Sequence, residues 1–169
     1  MTGFVAILMG SQSDMDHAQK IVAVLDQLGI ASEVRIGSAH KTPAHVMTIL
    51  EGWKADPRPK VLITIAGRSN ALSGFVDAQV SCPVIACPPY SSSFGGADVY
   101  SSLRMPSAVA PAVVLEPANA ALLCGKILGL GDPGIKAQVE AMQQRAIDTV
   151  LASDAALAGD AKLDQPGEK

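Results

Sequence analysis

"VLITIAGRSNALSG", residues 61–74, begins as a run apolar but for Thr64 and turns at Gly67 into Arg68, Ser69 and Asn70. A strand that is apolar at consecutive positions has both faces covered, which is the situation of a parallel sheet between two layers of helix. In such sheets the loops leaving the carboxyl ends of the strands form the ligand-binding rim. The abrupt polarity after Ala66 therefore predicts a site as well as a fold.

Working outward, "FVAILMG" (4–10) repeats the apolar run, and "ASEVRIGS" (31–38), "KVLITIAG" (60–67), "CPVIACPP" (82–89) and a segment around 111–115 supply further strands. Between them lie segments of helical period. In "MDHAQKIVAVLDQLG" (15–29), Ile21, Val22, Leu25 and Leu28 share a face, and Gly29 marks the stop. "PAHVMTILEGW" (43–53) carries Pro43 in its first turn, and helices are also expected over 119–130 and 133–157. Alternation of strand and helix predicts an α/β chain: a three-layer αβα, flavodoxin-like parallel sheet of strand order 2-1-3-4-5 with a long C-terminal helix. One domain is expected over 1–158, with 159–169 a polar, frayed tail.

Composition narrows the class. Hydrophobic residues make up 49% of the 169 and charged ones only 17%, which favours burial of surface against further copies of the chain. The net charge of −3 comes from 16 acidic and 13 basic residues without a basic run, so nucleic acid is not an expected partner. No apolar segment approaches the ~20 residues that span a bilayer. The N-terminus lacks a basic leader before its apolar run and reads as a core strand, not a signal peptide. Cys82, Cys87 and Cys124 form no CxxC pair, as expected of reduced thiols in a cytoplasmic protein. Cys87, just after a strand, reads either as small apolar packing or as a nucleophile.

Four rim loops are rich in small polar groups. "GSQSD" (10–14) offers Ser11, Ser13 and Asp14 at a helix N-terminus, a setting that suits an anion or a sugar hydroxyl, although Ser13 or Asp14 as a simple cap reads equally well. "SAHKTP" (38–43) places His40 and Lys41 just before a helix start, with Thr42 as its natural N-cap. A lysine there is repelled by the helix dipole unless an anion shares the site. "GRSN" (67–70) and "CPPYSSSFGG" (87–96) complete the set, the latter long enough to cover a ligand. His17 and His45 fall on polar helix faces and read as solvated. His40 has no second ligand at metal spacing, and neither a P-loop nor GxGxxG occurs. The expected site binds a small sugar phosphate and works by a histidine, without metal or cofactor.

The segments "VAILMGSQSD", "GSAHKTP", "IAGRSNALSG", "CPP", "SSLRMPS" and "NAALL", in this order, resemble the aminoimidazole ribonucleotide carboxylase family of purine biosynthesis over about residues 4–130. That family has a mutase branch and a branch that takes carbon dioxide directly. The mutase pattern places a histidine where this chain has Ala71 and an arginine where it has Lys41, so the resemblance is to the carboxylase branch. The resemblance implies aminoimidazole ribonucleotide and carbon dioxide as substrates, no cofactor, and a homo-oligomer, octamer or tetramer. It implies that Ser11, Ser13 and Asp14 bind the nucleotide, with Ser38 and Lys41 beside its phosphate, and that Gly67 allows close approach of the backbone.

Chemistry suggests the remaining roles. Carbon 4 of an aminoimidazole is an enamine carbon able to attack carbon dioxide, after which a base must remove its proton. An imidazole suits this, which points to His40. Lys41, Ser69 and Asn70 are candidates to meet the carbon dioxide oxygens and the new carboxylate. Arg68 reads as a partner for a neighbouring subunit or an acidic loop residue. A non-catalytic nucleotide-binding module is the alternative outside enzymes.

Overall fold

The computed structural model describes residues 2–163. Along the chain run β1 (Phe4–Met9), α1 (Met15–Gln27), β2 (Ala31–Ile36), α2 (Pro43–Ala55), β3 (Lys60–Ile65), α3 (Ala71–Asp77), β4 (Val84–Ala86), α4 (Tyr100–Leu103), β5 (Ala112–Val113), α5 (Pro117–Leu128) and α6 (Pro133–Leu163). The sheet is five-stranded and parallel throughout, in the order β2-β1-β3-β4-β5. This is the flavodoxin-like order expected from the sequence.

The apolar runs owe their continuity to two cores. Val5, Ile7, Met9, Ile63 and Ile65 point toward α1, α5 and the start of α6. The alternate residues Phe4, Ala6, Leu8 and Leu62 point toward α2 and α3. Register then positions the site: Met9 is level with Ile36 on one side and Ile65 on the other. The loops that follow β1, β2 and β3 therefore leave the sheet at one height and share a rim. Gly29 (φ 68) ends α1 in the left-handed region, and Ile30 N–H donates to Leu25 O at 2.9 Å, closing the helix end as the sequence suggested.

Several elements differ from expectation. Helix α3 was not legible in "ALSGFVD", a seven-residue helix with Gly74 at its centre. Helix α5 starts at Pro117, whose missing N–H is no loss in a first turn. Helix α6 runs to Leu163, past the expected end at 157, so the first residues of the expected frayed tail are helical, and 164–169 lie outside the described residues. Its first turns bury Ile135 and Val139 against this chain's own core, whereas Ile147, Val150, Leu151 and Leu157 are exposed. No helix among the described residues is long and apolar enough to cross a membrane.

Candidate active site

The shared rim encloses a cavity of about 410 Å³. Eight of the expected residues line it: Ser11, Ser13 and Asp14 after β1, Ser38, His40 and Lys41 after β2, Gly67 and Ser69 after β3. Gly10, Ala39, Ala66, Arg68 and Leu72 complete the lining. Asn70 is not among them.

After β1, the chain makes a 3₁₀ turn at Gln12–Asp14 before α1. Ser11, not Ser13 or Asp14, is the cap: its Oγ accepts from Ser13 N–H at 3.3 Å and from the Ser13 hydroxyl at 3.1 Å. Asp14 holds the N-cap position of α1 but makes no side-chain cap bond, which leaves its carboxyl to the cavity. Partial burial raises the Asp14 pKa above its ordinary value, against the smaller opposite pulls of a backbone hydrogen bond at Ser11 and of His17.

After β2, residues 38–42 are tied on themselves. Ser38 N–H donates to Thr42 Oγ1 at 3.0 Å, Thr42 N–H to Ser38 O at 2.9 Å, and Lys41 N–H to Ser38 Oγ at 3.2 Å. Thr42 thus stands at the N-cap of α2 without a side-chain cap bond, contrary to expectation. Pro43 follows it without an N–H, and the hydroxyl turns back to the loop instead. The knot leaves His40 and Lys41 exposed on the cavity wall.

After β3, Arg68 adopts φ 60. Its N–H donates to Asp98 Oδ2 at 2.9 Å, which fixes a left-handed conformation that disfavours side chains bearing a Cβ. The expected acidic partner thus holds the Arg68 backbone, and its guanidinium makes no ion pair among the described residues. Nor does Lys41. Two uncompensated cations beside serine hydroxyls make a setting for an anion. Asn70 is 2% exposed: Oδ1 accepts from Ser73 N–H at 3.2 Å, capping α3, and Nδ2 donates to Ser102 Oγ at 2.9 Å. These two bonds tie the start of α3 to α4. Ala71 opens α3 between the lining residues Ser69 and Leu72, and His40 is the one imidazole in the described lining.

His17 is half-buried, and its Nε2 lies 3.3 Å from Cys87 Sγ, so it is not the solvated residue its helix position suggested. Burial lowers its pKa, with Lys20 adding to the effect. Cys87 is fully buried in the core, where burial, and secondarily Glu116, pushes its thiol up to about 12, the setting of a packing residue. His45 is exposed, as expected.

Comparison with known proteins points to one family. A family model described as AIR carboxylase matches residues 4–149. The chain is 54% identical over 157 residues to phosphoribosylaminoimidazole carboxylase of Treponema denticola, covering 93% of this chain and 99% of that protein. It is 51% identical over 148 residues to phosphoribosylaminoimidazole carboxylase of Archaeoglobus fulgidus, covering 88% and 81% respectively. A crystal structure of Treponema denticola PurE superposes with a TM-score of 0.90 at 54% identity, covering 92% of this chain and 98% of that one.

Proposed function

The chain belongs to the AIR carboxylase family, and from that membership we infer that it is a phosphoribosylaminoimidazole carboxylase. It adds carbon dioxide reversibly to carbon 4 of aminoimidazole ribonucleotide, giving carboxyaminoimidazole ribonucleotide, without ATP, biotin or metal. The observation that carries this reading is the convergence of His40, Lys41 and the rim serines, from three strand ends, on one cavity.

In the forward direction the enamine carbon forms a bond to carbon dioxide, and one carbon–oxygen π pair moves onto oxygen to give a carboxylate. Carbon 4 then bears both a hydrogen and the new group. His40 removes that hydrogen as a proton, and its bonding pair restores the aromatic ring. The reverse path returns the proton from His40 and expels carbon dioxide. Ser11, Ser13 and Asp14 hold the nucleotide, with Ser38 and Lys41 beside its phosphate. Lys41 and Ser69 also face the oxygens on which charge develops, which places stabilisation where the transition state needs it. The backbone of Gly67 forms part of the wall. Asn70, given its capping bonds, supports this loop and does not touch substrate.

The catalytic unit is a single domain spanning 1–158. The exposed apolar residues of α6 support assembly into a homo-oligomer, octamer or tetramer, and three unpaired cysteines support a cytoplasmic location. The test is a paired assay. Purified protein is given aminoimidazole ribonucleotide with carbon dioxide and bicarbonate, or the carbamate on the exocyclic amino nitrogen in their absence. Product from the first mixture alone supports the carboxylase. Product from the carbamate alone would make it a mutase, and product from neither would leave a binding module.

A further inference from the structure

The buried polar residues of the described chain are Thr64, Asn70, Ser73 and Ser102, in a core that is otherwise apolar. They cluster at one place. Asn70 and Ser73 start α3, Thr64 lies on β3 just before the same loop, and Ser102 belongs to α4. Of these side chains, Asn70 and Ser102 are bonded to each other, and Asn70 Oδ1 also accepts from Ser73 N–H, which ties the loop between β3 and α3 to α4.

Three hydrogen bonds join that loop to the segment around α4. Arg68 N–H donates to Asp98 Oδ2 at 2.9 Å, Asn70 N–H to Ser101 Oγ at 2.9 Å, and Asn70 Nδ2 to Ser102 Oγ at 2.9 Å. Ser101 Oγ in turn donates to Asp98 O at 2.7 Å. The segment reaches this place through Gly95 and Gly96, both left-handed, with the Tyr90 ring against Gly96 so that a Cβ there would meet it at 2.9 Å. Of the three contacts, only that from Asp98 is charge-assisted, and it falls on the residue with the strained backbone.

We propose that Asp98 is a positioning residue for the carboxylation reaction: its carboxylate holds the Arg68 peptide in the left-handed conformation and so fixes where Arg68 and Ser69 face the ligand cavity. This rests on the functional reading above. Asp98 acts through its acceptor oxygen on a backbone N–H, so its effect follows the presence of that acceptor.

The test compares Asp98→Ala with Asp98→Asn, in the full chain, by steady-state kinetics and by amide hydrogen exchange. Asp98→Ala is expected to lower kcat/KM about tenfold to a hundredfold, the scale of a small misplacement of binding groups. Exchange at 67–70 should speed up roughly tenfold or more, with β3 unchanged, because one bond fixing the loop is lost. Asp98→Asn, which keeps an oxygen acceptor, should stay within about fivefold of wild type. The proposal is overturned if Asp98→Ala leaves 67–70 exchange unaltered, if its kcat/KM stays within about threefold, or if Asp98→Asn is as impaired as Asp98→Ala. Loss that spreads to β3 exchange would mark a general structural role and overturn it too. An inactive wild type would sink the functional reading instead, while the exchange comparison would still decide what Asp98 does to the loop.

Discussion

Replacing Asn70 by alanine separates a residue that touches substrate from one that frames the site. Its Oδ1 caps α3 at Ser73 N–H and its Nδ2 bonds to Ser102 Oγ, both in a buried setting. Loss of an N-cap costs about 1 kcal/mol, within a range of roughly 0.5–2. Loss of the buried hydrogen bond to Ser102 adds about 1 kcal/mol, and more if the hydroxyl is left unpaired. The sum is about 2–3 kcal/mol. For a domain of this size each kcal/mol shifts the melting temperature by roughly 2–4 °C, so a fall of about 4–12 °C is expected at fixed protein concentration. Asn70→Asp keeps the acceptor for Ser73 N–H and should recover about half of the loss. Thermal unfolding followed by circular dichroism, beside calorimetric titration with aminoimidazole ribonucleotide, reads both quantities. An Asn70→Ala protein that melts with wild type while binding nucleotide much more weakly would refute the framing role and return Asn70 to the ligand.

Thr64 Oγ1 is buried without a partner among the described residues, so Thr64→Val, of nearly equal shape, should stabilise by about 1 kcal/mol and raise the melting temperature by a few degrees; a fall would show that a bound water satisfies the hydroxyl. Burial lowers the His17 pKa below its ordinary 6.5, so the folded state resists a proton that the unfolded state takes. The stability this gives is complete above 6.5 and is lost as pH falls through and below that value, and the melting temperature should drop more steeply between about pH 7 and pH 5 in wild type than in His17→Gln; equal slopes would contradict the assignment. Val150 and Leu151 are 67% and 62% exposed on α6, and charges at both positions should lower the native mass measured by light scattering while leaving the monomer fold intact; an unchanged mass would remove α6 from the interface.

The strand order and the shared rim were legible because they depend on period and alternation. The run at 4–9 is apolar on both faces, and 61–65 is so apart from the buried Thr64, as a doubly covered strand requires. What resisted reading depended on neighbours remote in sequence. Asn70 reads as a free loop amide until Ser102, 32 positions away, is seen to accept from it. His17 looks solvated until the end of β4 brings Cys87 beside it. Asp98 sits in a stretch of serines and glycines and carries no local signal of the bond it makes across to Arg68. Thr42 has the identity of a cap, yet a hydroxyl that can satisfy either the helix or the loop is assigned by geometry alone. The serines, His40 and Lys41 reach the cavity because their positions follow from where the strands end, which is the part of the site that period determines.

In the proposed reaction His40 moves the proton at carbon 4 while other groups hold the nucleotide. The most direct test of this role is the turnover and the nucleotide affinity of His40→Asn, side by side. Decarboxylation of carboxyaminoimidazole ribonucleotide should fall by ~10²–10⁴, with the dissociation constant of aminoimidazole ribonucleotide within a few-fold of wild type. Turnover that survives the substitution, or that is lost only in step with binding, would contradict it.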